Sequence, residues 1–314
     1  KRSKTTIYVK QPYIEFRNRS GFGDIINNYF LFLKYNFKQY SSLYLRYNTI
    51  SIILTLISGY LLVTGFMGLA SRDFRFGMGN NLDTEIYFFA GGIILFLVVF
   101  VTSLINYSFS SAYVTQYVLT NGKVESKSIW NHIIKNIGNI IILIVVGAAM
   151  YFVYLIISLM ISFIPLLGFI AQYGMSFTIS AIFGLTFMSL FSNNNGFSNA
   201  ISEGFSFTFN NFLKVIGYGL VIGILNLMIT ALILATPGFI IGIYTYFSVE
   251  SDVDLVGNTF ATLIFTLGFA MFILSFIFTQ ALSQVAFGVL YYNLYELKYN
   301  TFLQGKINQI GVNE

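Results

Sequence analysis

Five stretches of the chain carry no Asp, Glu, Lys or Arg: 47–71, 86–122, 136–202, 215–249 and 255–295. A helix that crosses a membrane needs about 20 apolar residues. Each stretch is therefore long enough to span once, and the third is long enough to span twice. Within the third, Pro165 and Gly168 in Phe163-Ile164-Pro165-Leu166-Leu167-Gly168 interrupt the apolar run and predict a tight hairpin. The pattern thus predicts six spans, near 48–69, 86–118, 138–163, 169–192, 213–235 and 258–293. Pro237-Gly238 is expected to end the fifth, leaving Phe239–Phe247 as a short apolar piece, either re-entrant or interfacial.

Ahead of each pair of spans lies a segment with helical periodicity that is too polar to cross. In the first, Asp24–Asn48, the residues Ile26, Phe30, Leu33, Phe37, Tyr40 and Tyr44 recur at spacings of three or four. Asn27, Asn28, Lys34, Lys38 and Ser41 occupy the other side. This predicts an amphipathic helix in the headgroup plane, aromatics down and amines near anionic phosphates; packing against the protein's own spans is the competing reading. The segments NYFLFLKYNF, SIWNHIIKNI and EGFSFTFNNF each hold an aromatic and an Asn six residues apart. The pairs are Phe30/Asn36, Trp130/Asn136 and Phe205/Asn211, at chain offsets of 100 and 75. The expected fold is an all-α integral membrane protein. Its six transmembrane helices form three parallel repeats, each preceded by a cytoplasmic interfacial amphipathic helix. The boundaries are a tail over 1–23, units over 24–118, 119–192 and 193–293, and a second tail over 294–314.

Composition agrees with this map. Of 314 residues, 56% are hydrophobic and 9% charged, and mean hydropathy is +0.74. A soluble domain is roughly a quarter charged, so a soluble enzyme, a nucleic-acid-binding domain and a disordered chain are excluded. The charges also orient the spans. The side holding both termini and the 119–137 and 193–214 segments carries 15 of the 17 basic residues, leaving Arg72 and Arg75 on the other. Basic residues are retained on the cytoplasmic side, which places both termini in the cytoplasm with +9 there and −4 outside. The basic face expects anionic lipid rather than nucleic acid as its partner. The Asn-, Ile-, Lys- and Phe-rich, Cys-free composition points to an AT-rich bacterial genome, and so to a bacterial cytoplasmic membrane.

Candidate chemistry is sparse. With no Cys and the single His132, neither a disulfide, a thiolate zinc site nor a histidine cluster is available, and no cofactor is expected. Glu250, Asp252 and Asp254 read as a solvated loop rather than a calcium site. The Gly-rich run Phe76–Asn81 lacks a phosphate-binding Lys and reads as an outer loop. Lys214, at the entry of the fifth span, is the one charge inside the spans and is expected to snorkel. Asn106, Asn139, Asn226, Gln172, Gln280 and Gln284 are the deep polar groups, fit for bonding helix to helix or lining a polar path. The lipid-interface candidates are Phe30, Lys34, Lys38, Trp130, Lys135, Phe205 and Lys214. The helix-packing candidates are Gly219 and Gly223, Gly238 and Gly242, and the stripe of Gln280 and Gln284.

The repeated interfacial segments, as in SNAISEGFSFTFNNFLKVIGYGLVIGIL, resemble those of bacterial six-span families, among them the membrane domain attached to glycerophosphodiester phosphodiesterases. The likeness is one of layout over most of 20–293. It implies an accessory membrane module and transfers no catalytic residue. The expected function is a non-enzymatic membrane subunit or scaffold that contacts lipid and other membrane-protein subunits. A transporter or channel for a lipid or small neutral molecule is the alternative. A lipid-acting enzyme is the third reading, and His132 with Glu125 is the acid–base pair it would have to use.

Overall fold

The computed structural model describes residues 12–70, 82–164, 167–193, 195–251, 253, 255–256 and 258–310. Their regular structure is helical throughout: α1 (Phe22–Ala70), α2 (Leu82–Leu119), α3 (Ser126–Lys135), α4 (Ile137–Ile161), α5 (Leu167–Ser192), α6 (Phe197–Asn210), α7 (Phe212–Glu250), α8 (Thr259–Tyr299) and α9 (Thr301–Ile310). Helices α1, α2, α4, α5, α7 and α8 are long and apolar enough to cross a membrane, at the positions the charge-free stretches predict. Arg72, Arg75, the Gly-rich run, Pro165, Asp252 and Asp254 lie outside the described residues.

Three local expectations change. The first pre-span segment is not a separate helix but the start of the 49-residue α1. No Gly or Pro occurs from Asp24 to Ser58, so nothing in the sequence ends the helix at the first span's entry. Second, the buried face of that segment is Ile25, Tyr29, Phe32, Asn36, Tyr40 and Tyr44, while Phe30 and Phe37 are each 45% exposed. Over its first three turns this inward stripe lies one residue from the predicted lipid-facing one, a rotation of about 100°, and the two coincide at Tyr40 and Tyr44, which are buried. With aromatics on both sides, hydrophobicity alone does not choose the inner face. Third, α7 runs through Pro237-Gly238 to Glu250, so Phe239–Phe247 is helix and neither re-entrant nor separate. A proline removes one N–H from the ladder, a loss that membrane helices absorb by local adjustment.

The chain divides into two compact units, Lys1–Tyr44 with Ser108–Leu220 and Gln284–Glu314, and Leu45–Tyr107 with Val221–Ser283. In the first, aromatic side chains form the core. Phe109 and Tyr113 pack on Tyr40, whose hydroxyl lies 2.8 Å from Ser110 Oγ. The α4–α5 hairpin closes here, with the Gly168 amide donating to the Ile164 carbonyl at 2.7 Å. A Cβ at Gly168 would strike the Ile161 carbonyl, so only glycine fits. In the second unit, deep amides bridge helices: Asn106 Nδ2 donates to the Ile277 carbonyl at 2.9 Å, and Asn226 Nδ2 to Ser283 Oγ at 2.6 Å. This unit also holds an apolar cavity of about 500 Å³.

Candidate functional site

Polar chemistry gathers at the end of α8, in Tyr291-Tyr292-Asn293-Leu294-Tyr295-Glu296. At 100° per residue, Tyr291, Asn293 and Glu296 leave the helix in three different directions. Each is met by a different part of the first unit.

Tyr291 faces α6. Its hydroxyl donates to Glu203 Oε2 at 2.9 Å and accepts from Asn193 Nδ2 at 3.0 Å. Ser189 Oγ donates to the same carboxylate oxygen and accepts from Asn195 Nδ2 at 3.0 Å. Glu203 is 8% exposed and makes no ion pair among the described residues. A buried carboxylate is tolerable only when hydrogen-bonded, and two hydroxyls supply that here. Gly204 makes the geometry possible, because a Cβ there would collide with Thr186 of α5.

Asn293 faces α7 and the segment before α1. Its Oδ1 accepts from Lys214 Nζ at 2.7 Å, and its Nδ2 donates to the Asn18 carbonyl at 2.6 Å. Lys214 is therefore directed onto a neutral amide, with the Ser20 carbonyl at 3.5 Å. The same 12–21 segment is held by Phe16, buried against Phe32 and Tyr117, and by the Ile14 amide, which donates to the Tyr117 hydroxyl at 2.8 Å. Arg17 pairs with Glu15 and lies 4.4 Å above the Phe302 ring of α9.

Glu296, 2% exposed, accepts from the Phe302 and Leu303 amides at 2.9 and 3.0 Å, capping α9. Carboxylates suit the positive end of a helix. The charged groups of this hub are engaged in hydrogen bonds within the fold.

The three asparagines of the pre-span segments make the same bond. Asn36, Asn136 and Asn211 donate Nδ2 to the carbonyls of Phe32, His132 and Phe207, four residues back, at 3.1, 3.0 and 3.2 Å. Each of those three residues also sets its ring against the end of a long helix. Phe32 meets Tyr117 at 5.1 Å, His132 meets Phe191 at 5.3 Å and Phe207 meets Tyr291 at 5.5 Å. Asn136 and Asn211 sit where α3 gives way to α4 and α6 to α7.

The interface candidates divide. Phe30, Lys34, Lys38, Trp130 and Lys135 are exposed, whereas Phe205 is half-buried and stacks on Phe209. Of the packing candidates, Gly219 is buried with the Phe177 ring 3.8 Å from a Cβ placed on it, and Gly223 is half-buried. Gly238 and Gly242 are exposed, with nothing within 4 Å of such a Cβ. Gln284 is fully buried and donates to Ser111 Oγ at 2.8 Å and to the Gly184 carbonyl at 3.0 Å, while Gln280 bonds the Tyr107 hydroxyl. His132 makes no hydrogen bond to Glu125, which is exposed at the start of α3. Its Nδ1 lies 3.4 Å from Gln116 Nε2. Burial, and secondarily Lys135, lower the His132 pKa.

The burial of Glu203 goes unread when charges are only counted. Its signal is the set Ala200, Glu203, Gly204, Phe207 and Thr208, a single helical face with one acid in it.

Fold and site together define a multi-pass membrane protein whose first unit has a polar interior organised around the end of α8. Neither a family model nor a curated protein nor a solved structure matches the chain.

Proposed function

We propose that the chain is a non-enzymatic subunit of a membrane complex, built from three parallel two-span repeats, that contacts lipid and docks another membrane-spanning chain. One observation carries this reading: the uncovered small-residue face of α7. Ala231, Ala235, Gly238 and Gly242, spaced by four and three residues, are all exposed. Small residues at this spacing let helix backbones approach closely. At Gly184 and Gly288 that room is already taken, by Phe287 and Val114. At Gly238 and Gly242 it is open.

The repeats are supported by the matching asparagine bonds and ring contacts at 32/117, 132/191 and 207/291. The distribution of basic residues supports cytoplasmic termini in a bacterial inner membrane. The exposed row Phe30, Lys34, Phe37 and Lys38, with Trp130 and Lys135, supports contact with anionic headgroups. The resemblance to the membrane domain attached to glycerophosphodiester phosphodiesterases fits an accessory role.

Purification from native membranes in mild detergent tests the reading. The expected particle is larger than the 35.4 kDa chain and contains a second spanning chain. Gly238→Leu with Gly242→Leu releases that chain without unfolding the protein. A lone monomer in the wild type contradicts the proposal. A lipid carrier is the second reading, favoured by the apolar lining of the cavity between α1, α2, α7 and α8.

A further inference from the structure

The cavity of the Leu45–Tyr107/Val221–Ser283 unit is lined by Leu62, Phe66 and Met67 of α1, Phe88 of α2, Ile241 of α7 and Phe269 of α8, among others. Its volume of about 500 Å³ lies within the ~300–1,000 Å³ of ordinary ligand sites. All eight lining residues are apolar, so the space has no donor or acceptor to hold water or a polar solute. Ile241 seats against Gly268, where a Cβ would strike its Cδ1, so the closure of this wall is built into the sequence.

Position narrows the occupant. The six named residues lie three to ten positions from the ends of their helices at Ala70, Leu82, Glu250 and Thr259. At 1.5 Å per residue, that is about 4–15 Å inside those ends, the depth at which acyl chains begin below their headgroups. The charges at these ends narrow it further. Asp83, Glu85 and Glu250 are all exposed there. A negative rim repels an anionic headgroup.

We propose that this cavity seats one acyl chain of a bilayer lipid whose headgroup carries no net negative charge. A static lipid and a carried one would use the same seat, so the proposal depends neither on partner docking nor on transport.

The test uses the full chain in phosphatidylcholine vesicles doped with phosphatidylcholine bearing a diazirine in its acyl chain. Labelled peptides are read by mass spectrometry after detergent washing. The expected result is label retained on Phe66–Met67 and Phe265–Phe269, above that on the exposed α4 segment Ile141–Phe152. Val63→Trp, which projects an indole into the cavity, lowers the Phe265–Phe269 label several-fold and leaves the α4 label unchanged. If Val63→Trp fails to fold, Met67→Trp serves the same purpose. The same probe on phosphatidylglycerol labels the cavity several-fold less. Cavity label no greater than α4 label, insensitivity to both substitutions, or equal labelling by the two headgroups overturns the proposal.

Discussion

The Tyr291 hydroxyl donates to Glu203 Oε2 at 2.9 Å, joining the end of α8 to the middle of α6 through a carboxylate that no cation neutralises among the described residues. Tyr291→Phe keeps the ring against Phe207 but removes this donor and the acceptor that Asn193 uses. An unsatisfied buried group costs about 1–3 kcal/mol. Thermal unfolding in detergent should show a destabilisation of that size. Adding Ser189→Ala should cost more than the sum of the single changes, because both hydroxyls serve one oxygen.

Lys214 and Asn293 clasp the 12–21 segment to the fold. Hydrogen bonds to charged groups contribute about 1.5–3 kcal/mol. Lys214→Met should therefore raise the opening of this segment on the order of tenfold or more. Limited trypsin digestion reads this directly as faster cleavage after Arg17 and Arg19, with the helices left intact. Unchanged cleavage would show that Phe16 and Tyr117 hold the segment unaided.

His132 gives the protein a pH dependence with a definite sign. Its folded pKa lies below the ordinary 6.5 because of burial and Lys135. Above pH 6.5 the imidazole is neutral in both the folded and the unfolded states, so it leaves stability unchanged. As pH falls below 6.5, the unfolded state takes up a proton that the folded site resists, and stability falls. His132→Gln should flatten this part of the stability profile between pH 7 and 5, measured by thermal unfolding across the series.

Two glycine positions separate folding from docking. Gly204→Val places atoms against Thr186 and the Ile182 carbonyl and should destabilise by about 1–3 kcal/mol. Gly242→Val meets nothing within 4 Å and should leave the unfolding temperature unchanged.

Much of this architecture was legible because charge is so costly in a bilayer that its gaps mark the spans. The helix ends near 70 and 119 follow from that cost, and the break between α4 and α5, which brings the count of spans to six, from Pro165 and Gly168. The route through Pro237 was not legible, since a proline that ends a soluble helix is accommodated in a membrane one. The inner face of 25–44 was obscured because rings occupy both sides and the buried stripe includes Asn36. The hub was half visible. Its members are ordinary polar residues spread from Asn18 to Glu296, and only packing brings them to one turn of α8.

Docking of a second chain on the exposed face of α7 is open to a direct test because the chain has no cysteine. Gly242→Cys and, as a control on α4, Phe152→Cys each place one thiol in an otherwise thiol-free chain. Both proteins are treated in native membranes with a short thiol-to-amine or photoactivated crosslinker. A protein adduct of defined mass is expected at position 242 and only lipid adducts at 152. Lipid adducts alone at both positions would contradict such docking.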